Sequence, residues 1–470
     1  MAQGMNQEKP PDGKNPHNNQ TGNGKFSESM TPRVNGMSLH MGGYPIKKFL
    51  FVSKESVSGD LAWRLQLEGH RVKVYISNPD DADVYDGFVE KVKVWEPEVD
   101  WADVIVFDDV GFGVQADQLR QRGKLVIGGS EYTDQLEDDR EFGQAELKKH
   151  DINTLRWWQF DDYDKAIEFI KAHPSRYVFK PSGSAPKSLL FIGQEEDGRD
   201  LLELFQNNKQ IWRQRAPHFV LQRYVSGVEV AVGAYFNGHD FLYPININFE
   251  HKRIFPGNLG PFTGEMGTLM YWSTPNNLFR EILLPMHSAL KASRYVGYVD
   301  INCIVNARGI YPLEFTCRFG YPTIHIQLEG IEMPIGEFLH RMANGEDFQI
   351  DTKRGFQLGV RLLLPTYFSQ EPHTELVRTY RDLAISFKTR PTIEGIHIED
   401  IKKVDDVWRV AGTSGCVLVV TGSGATVEEA RRVAYGRAQN VLVPNIFYRT
   451  DIGMTWSNDR DRLHTWGYLR

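Results

Sequence analysis

The chain is poor in cysteine and has no long hydrophobic run. Its 470 residues include three cysteines, Cys303, Cys317 and Cys416, which lack the C-x-x-C spacing of a metal site and are too few for a disulfide framework. No stretch approaches the ~18 apolar residues that cross a bilayer, and the first residues do not resemble a secretory signal. We therefore expect a cytoplasmic protein with no membrane partner.

A surplus of basic residues is also missing. Lysine and arginine number 54 against 61 aspartates and glutamates, which gives a formal net charge of −7. General binding to nucleic-acid phosphates needs a basic face, so we expect no nucleic-acid partner. Hydrophobic residues make up 41% of the chain, enough for several cores. A length of this size predicts about three domains.

The composition changes along the chain. Residues 1–45 contain 7 Gly, 6 Asn and 5 Pro and little that is apolar, which predicts a disordered tail. We divide the remainder into an N-terminal open parallel α/β domain (46–150), a central two-part α+β domain (151–355) and a small C-terminal α+β domain (356–470).

Strands and helices alternate in the first domain, as expected for a parallel sheet with helices on both faces. We predict strands over 49–52, 71–76, 103–107 and 124–127, with helices over 58–68, 116–121 and 138–150. Antiparallel hairpins are predicted from residue 151 onward. In the C-terminal domain, Thr426 and Glu429 form a capping box that opens a helix.

The strongest chemical signal is a predicted hairpin with strands over 296–305 and 310–319. A period of two puts Glu314, Thr316 and Arg318 on one face of the second strand.

Asp300, on the first strand of this hairpin, faces Glu314 only if the connecting loop has an odd length. A two-residue loop would turn Asp300 to the opposite face. Two carboxylates on one face suit Mg²⁺ with nucleotide phosphates. The alternative is an arginine–carboxylate ladder without a metal.

Two weaker signals precede this hairpin. Lys180 ends a predicted strand before a Gly/Ser/Pro loop that contains Lys187, an arrangement that can cradle phosphates. Gln222 and Tyr224 end another strand, and Glu229 begins the next after a short linker suited to a nucleoside. The alternatives are a solvated lysine and an ordinary surface glutamate.

A glycine-rich segment forms the third signal. Lys252 and Arg253 precede residues 257–267, which contain four glycines and suit a loop that approaches an anionic ligand or acts as a lid. The alternative is a flexible surface loop. The candidate substrate residues in this segment are Arg253, Gly260, Thr263, Gly264, Met266 and Gly267.

Taken in order, these segments resemble an ATP-grasp ligase, and more specifically glycinamide ribonucleotide synthetase (phosphoribosylamine–glycine ligase), over about residues 47–455. The stretches that carry the resemblance are Tyr224-Val-Ser-Gly-Val-Glu229, His251-Lys-Arg with Gly260-Pro-Phe-Thr-Gly-Glu-Met-Gly267, and Leu313-Glu-Phe-Thr-Cys-Arg-Phe-Gly320.

The resemblance implies an ATP-grasp domain that uses ATP and Mg²⁺ (or Mn²⁺) to activate an amino-acid carboxylate as an acyl phosphate, which an amine then attacks to give an amide. It implies small-molecule substrates and a monomer or small homo-oligomer. It assigns the nucleotide to Lys180, Lys187, Gln222, Tyr224 and Glu229, the metal to Asp300, Glu314 and Thr316, and catalysis to Arg318 and Lys252.

The chain also departs from the family pattern. The family's first loop, Gly-x-Gly-Gly-Arg-Glu-His-Ala, holds the phosphate of phosphoribosylamine, and its equivalent here is Ser53-Lys-Glu-Ser-Val-Ser-Gly-Asp60. Thr316 replaces a metal-binding Asn. We therefore expect a ligase of this type with an altered amine site. The alternatives are genuine phosphoribosylamine–glycine ligation and an inactive nucleotide-binding scaffold.

Overall fold

The computed structural model describes residues 43–182, 189–369, 373–389 and 393–470. The predicted tail lies outside this range except for residues 43–45, where the Tyr44 hydroxyl is 2.7 Å from Nδ1 of His340. In the described part of the chain, no helix is long and apolar enough to cross a membrane.

The N-terminal unit is built on five parallel strands in the order β3-β2-β1-β4-β5, which confirms the predicted open α/β layer. Its strands are β1 (Lys48–Ser53), β2 (Arg71–Ile76), β3 (Glu90–Lys91), β4 (Val104–Phe107) and β5 (Leu125–Ile127). Its helices are α1 (Gly59–Leu67), α2 (Gly113–Gln121), α3 (Glu131–Asp138) and α4 (Arg140–Lys149).

The central strand β1 is buried on both faces. Phe49 and Phe51 pack into one hydrophobic cluster, while Leu50 and Val52 pack into another on the opposite face. Strand order reverses between β1 and β4, so the loops that follow these strands lie side by side at the carboxyl edge of the sheet. Ligands of open α/β sheets bind at such a reversal point.

The helix predicted over 138–150 is present as α4 (Arg140–Lys149), and a separate helix, α3 (Glu131–Asp138), ends just before it. Asp139 between them has an extended backbone, and its carboxylate accepts hydrogen bonds from the backbone N–H groups of Glu141 and Phe142. An aspartate in this role caps the helix that follows it, so the chain starts a new helix rather than continuing the old one.

A small antiparallel sheet follows, with the strand order β6-β9-β7-β8. Its elements are β6 (Trp157–Phe160), α5 (Tyr163–Ala172), β7 (Tyr177–Pro181), β8 (Phe191–Ile192), α6 (Arg199–Arg215) and β9 (Phe219–Arg223). Aromatic side chains from the two helices and the sheet form its separate core.

The largest sheet has eight antiparallel strands in the order β16-β15-β10-β11-β14-β17-β22-β19. They are β10 (Val228–Asn237), β11 (Phe241–Glu250), β14 (Gly267–Ser273), β15 (Val296–Asn306), β16 (Gly309–Thr316), β17 (Phe356–Leu363), β19 (Ile396–Ile398) and β22 (Cys416–Gly424). The sheet runs across the proposed boundary between residues 355 and 356, so the central and C-terminal units share one sheet.

Short elements complete the fold. The strands are β12 (Arg253–Phe255), β13 (Leu259–Phe262), β18 (Ser386–Phe387), β20 (Ile401–Val404), β21 (Val407–Val410) and β23 (Val441–Leu442). The helices are α7 (His287–Ala292), α8 (Thr323–Gly330), α9 (Ile335–Ala343), α10 (Glu375–Tyr380), α11 (Val427–Asn440) and α12 (Trp456–Thr465). The predicted capping box of Thr426 and Glu429 is present at α11.

A buried ion network joins the three units. Asp60 of α1 accepts from Arg64 Nε at 2.6 Å and lies 2.7 Å from Nδ1 of His397 on β19, and the ring of His325 on α8 stacks on His397. Asp60, His325 and His397 could in principle bind a metal. Because Arg64 and His397 already engage the same oxygen of Asp60, we interpret the group as a hydrogen-bonded network.

We expect the part of the free energy of unfolding that depends on a neutral, buried His397 to be lost as the pH is lowered from 7 towards 4. Burial lowers the pKa of His397 to about 3, whereas an unfolded histidine titrates near ~6.5. Between these values only the unfolded chain binds the proton, so this contribution is complete above pH ~6.5 and is lost as the pH falls. Its slope reaches at most about 1.4 kcal/mol per pH unit. Urea unfolding at several pH values measures it.

The His397→Gln variant should lack this component, and His373→Gln, at a side chain that is 74% exposed, should keep it. Identical pH slopes for the wild-type chain and His397→Gln would contradict the assignment.

Candidate functional site

Lys252 lies at the centre of a cluster of carboxylates. It follows β11, and its ammonium is 2.7 Å from Glu314 Oε1 on β16, 3.4 Å from Glu250 Oε2 on β11 and 3.7 Å from Glu229 Oε1 on β10. Burial alone would lower the pKa of Lys252, but Glu314, Glu250 and Glu229 together raise it well above its usual value. Lys252 therefore stays protonated and forms ion pairs with carboxylates from three strands.

Glu314 is the accessible member of this cluster, since 52% of its side chain is exposed. The charge of Lys252 lowers the pKa of Glu314 to about 2, with further contributions from Lys180 of β7 and Arg140 of α4. Burial, and next the charge of Arg140, lower the pKa of Lys180 to about 8. The charges of three cations from separate parts of the chain thus all stabilise one carboxylate, which is an environment suited to a polyphosphate.

The direct pairing of Asp300 with Glu314, expected for a loop of odd length, does not occur. Strands β15 and β16 are joined by a two-residue loop, and Asp300 lies opposite Thr316 while Asn302 lies opposite Glu314. A register shift after Asn302 inserts one extra residue in β16. This bulge reverses the parity that the short loop imposes, so Asp300, Asn302, Glu314 and Thr316 still share one face.

Unpartnered oxygens on this face suit a hard cation. Asn302 donates its amide N–H to Glu250 Oε2 at 2.9 Å, which leaves its Oδ1 without a hydrogen-bond partner among the described residues. Asp300 Oδ1 is likewise buried and unpartnered there. Burial, and next the charge of Glu250, raise the pKa of Asp300 well above its usual value. Carboxylate and amide oxygens without a counter-ion are the donor set that Mg²⁺ prefers.

The residues predicted to bind the nucleotide lie on or next to β7, β9 and β10. Gln222 is buried on β9, and Tyr224 stacks against the guanidinium of Arg176, 3.5 Å from the ring centroid. Lys180 lies on β7, one residue before its end at Pro181, while Lys187 lies outside the described residues. The contacts of Glu229 with Lys252 place it in the cluster.

Arg318 is not beside Glu314 as the period of two predicts. Strand β16 ends at Thr316, so Arg318 lies beyond the pleated segment. Its Nε is 3.1 Å from Asp109 Oδ1 and 3.0 Å from Glu137 Oε1 of the N-terminal unit. The structure therefore brings Arg318 to the carboxyl edge of the parallel sheet.

The glycine-rich segment is a short hairpin, β12 with β13, rather than an unstructured loop. Gly260 lies in this hairpin with a φ of +79°, and Gly264 has open space around it. Thr263 donates its backbone N–H and its hydroxyl to the carbonyl of Lys252, at 2.8 and 2.7 Å. The segment thereby positions the central lysine.

Other candidate substrate residues of this segment have structural contacts. Arg253 lies over the ring of Phe262 at 4.1 Å, and Met266 is buried in a small core. Gly267 has a φ of +153°, and a side chain there would collide with the carbonyl of Gly359 on β17.

Three site residues escaped the sequence analysis. Asn302 could have been found from its position two residues after Asp300 on the same face, had the bulge been foreseen. Glu250 ends a strand just before Lys252, which is a weak signal. Arg140 gave no signal, because only the packing of α4 brings it to the cluster.

Comparisons with known proteins give one consistent result. Residues 138–324 match the family model described as phosphoribosylglycinamide synthetase, ATP-grasp (A) domain. The chain is 22% identical to phosphoribosylamine–glycine ligase of Clostridium acetobutylicum, over 86% of this chain and 99% of that protein. It is 26% identical to that of Listeria monocytogenes, over 81% and 89%.

Solved structures agree with the fold. The phosphoribosylamine–glycine ligase of Thermotoga maritima superposes with a TM-score of 0.65 at 21% identity, covering 86% of this chain and all of that one. A biotin carboxylase of Campylobacter jejuni gives 0.60 at 12% identity, covering 90% and 98%. The fold is that of ATP-grasp proteins.

We expect the hairpin of residues 253–262 to depend on Arg449. This arginine is 1% exposed, and it donates to the carbonyl of Arg253 at 2.7 Å, to Asn258 Oδ1 at 2.6 Å and to Asp451. In Arg449→Met, amide hydrogens of the hairpin should exchange with solvent at least about 10-fold faster, as measured by mass spectrometry.

Arg460→Met removes an arginine whose side chain is 45% exposed and serves as the matched control, with wild-type exchange. Unchanged exchange in Arg449→Met would show that the hairpin is held by other contacts.

Proposed function

We infer that this chain, whose ATP-grasp domain resembles that of phosphoribosylglycinamide synthetase, is an ATP-dependent carboxylate–amine ligase. The observation that carries this conclusion is the convergence of Arg140, Lys180 and Lys252 on the accessible carboxylate of Glu314.

The reaction couples two displacements. A carboxylate oxygen of the first substrate attacks the γ-phosphorus of ATP. The bond between this phosphorus and the oxygen that bridges it to the β-phosphate breaks, and ADP leaves. The nitrogen of the amine then attacks the acyl carbon, phosphate leaves, and the nitrogen loses a proton to give the amide. The first displacement brings anions together, so it requires cations placed in advance around the phosphates.

The cations of this chain meet that requirement. Lys180 and Arg140 face Glu314 from separate elements, and Lys252 is held by its three glutamates. None of these side chains needs to form a covalent bond, because orientation and charge neutralisation supply the rate.

We propose Mg²⁺ as the metal, with Glu314, Asn302 and Asp300 as the residues that would hold it and Thr316 beside Asp300. When bound, the ion would neutralise phosphate charge. Glu314 offers an accessible carboxylate, and the other two offer unpartnered oxygens.

Further roles remain proposals. Gln222, Tyr224 and Glu229 would bind the nucleoside, and Arg318 would contact the substrate that receives the phosphoryl group. The carboxylate substrate would be an amino acid, with glycine the first candidate because the similar ligases act on it. The three-unit division of the chain and a monomer or small homo-oligomer also stay predictions.

We expect Glu314→Gln to lower the rate of ADP release by roughly 100- to 1,000-fold, since it removes a charge that holds the metal and Lys252. The fold should survive, because half of this side chain is exposed. A coupled assay for ADP measures the rate, and circular dichroism confirms the fold.

Glu375→Gln is the matched control, at a glutamate that is 87% exposed on α10, and should retain wild-type activity. A folded Glu314→Gln chain with the wild-type rate would contradict the metal assignment.

We also expect ADP release to require a particular amino acid. A panel of amino acids with Mg·ATP, each with hydroxylamine as a small nucleophile, should yield a hydroxamate for the accepted one, because hydroxylamine attacks an acyl phosphate and releases phosphate. If ATP raises the melting temperature but no amino acid yields a hydroxamate, the chain is a nucleotide-binding scaffold instead.

A further inference from the structure

The carboxyl edge of the parallel sheet is lined by carboxylates that the cluster around Lys252 does not use. Strands β1, β2, β4 and β5 of the parallel sheet are each followed by at least one acidic side chain. They are Glu55 after β1, Asp81 after β2, Asp108 and Asp109 after β4, and Asp134 and Glu137 after β5. Burial, and next the charge of Glu55, raise the pKa of Asp81 to about 6.

Two cations, Arg318 and Lys54, lie at this edge. Arg318 is shared between Asp109 and Glu137, at 3.1 and 3.0 Å. Lys54 donates to the carbonyl of Val110, and its ammonium lies 5.3 Å from the centroid of the Phe112 ring. The edge therefore carries a surplus of negative charge next to the point where the strand order reverses.

The start of α1, which comes directly after the β1 loop, is closed to an added anion. Its N-cap residue Ser58 makes no capping hydrogen bond and donates instead to Asp108 Oδ2 at 2.5 Å. The ring of Tyr85 lies against Gly59, so that a methyl group added there would collide with it. The protein's own carboxylate and ring thus occupy the space in which a phosphate would meet the helix N-terminus.

Two buried oxygens at this edge lack a hydrogen-bond partner among the described residues. They are Ser56 Oγ and Asp108 Oδ1, and both side chains are at most 2% exposed. A phosphate group at neutral pH offers mainly acceptors, whereas ammonium and hydroxyl groups offer donors. The unpartnered carboxylate oxygen of Asp108 therefore fits a donor, while the Ser56 hydroxyl can donate or accept.

This edge is continuous with the ligase site. Arg318 lies four residues after Glu314, and the Tyr321 hydroxyl donates to the carbonyl of Asp108 at 3.1 Å. The segment that leaves β16 thus runs from the proposed metal position onto the loop after β4. A substrate bound at the edge would approach the activated carboxylate from the N-terminal unit.

We propose that this edge is the acceptor site and that it selects a primary amine without a phosphate group, with the ammonium bound by Asp109. The side chain of Asp109 is 21% exposed, so a ligand can reach it from the solvent. The proposal rests on the proposed ligase function, and it names the class of amine. A phosphorylated amine would place its dianion among carboxylates, where Arg318 is already paired with two of them.

The test measures ADP release by the full-length chain with Mg·ATP, the accepted amino acid and amines in matched pairs that differ only by a phosphate. The pairs are ribosylamine and phosphoribosylamine, glucosamine and glucosamine 6-phosphate, and ethanolamine and phosphoethanolamine. The hydroxylamine reaction runs in parallel and reports activation of the carboxylate without the acceptor.

We expect the unphosphorylated member of at least one pair to have a kcat/KM about 10-fold or more above that of its partner. If a hydroxamate forms but the phosphorylated members react equally well or better, or no amine reacts, the acceptor assignment is wrong and the ligase function stands. If no amino acid yields a hydroxamate, the ligase function fails, and the acceptor assignment with it.

A charge variant gives a second readout. Asp109→Asn should raise KM for the unphosphorylated amine about 10-fold or more, through loss of a charge-assisted hydrogen bond, while kcat changes much less. Glu137 still holds Arg318 in this variant. Asp100→Asn, at an aspartate that is 82% exposed in the same unit, is the control and should leave both constants unchanged. An unchanged KM in Asp109→Asn would overturn the assignment.

Discussion

The site depends on one buried lysine. Lys252 holds Glu229, Glu250 and Glu314, which come from three strands of the largest sheet, within 4 Å of a single ammonium group. Without that cation the carboxylates would repel one another in a partly buried cleft. The ion cluster keeps this face of the sheet charged and leaves Glu314 accessible. Thr263, which follows the hairpin of β12 and β13, donates its hydroxyl to the backbone carbonyl of Lys252 and so helps to position the lysine.

A bulge in β16 decides which oxygens accompany Glu314. The alternation of side chains correctly places Glu314 and Thr316 on one face, and the short loop alone would have turned Asp300 away. The extra residue after the Asn302 position restores Asp300 to that face and brings Asn302 opposite Glu314. No sequence pattern of the hairpin predicts the bulge. The bulge depends both on the two-residue turn and on how the whole sheet packs.

Arg318 links two chemically different regions. On one side, Arg140, Lys180 and Lys252 surround an accessible carboxylate, and on the other, Asp109 and Glu137 bind the guanidinium at an acidic edge. The cluster around Lys252 mixes cations and carboxylates, whereas the edge around Arg318 is mainly acidic, and one short segment connects the two.

Local patterns in the sequence determined the parallel N-terminal layer, the antiparallel hairpins, the capping box at Thr426 and the Glu314 signal, because these depend on periodicity and on residues near in the chain. Local patterns also marked Lys180, Lys252 and Glu229 as weaker candidates, and the resemblance to ATP-grasp ligases assigned roles to them. Tertiary structure alone decided that Arg140 joins the phosphate-facing cations, that Arg318 turns to the N-terminal unit, and that Met266 is core. These outcomes depend on how distant elements pack, and a linear sequence carries no direct record of that packing.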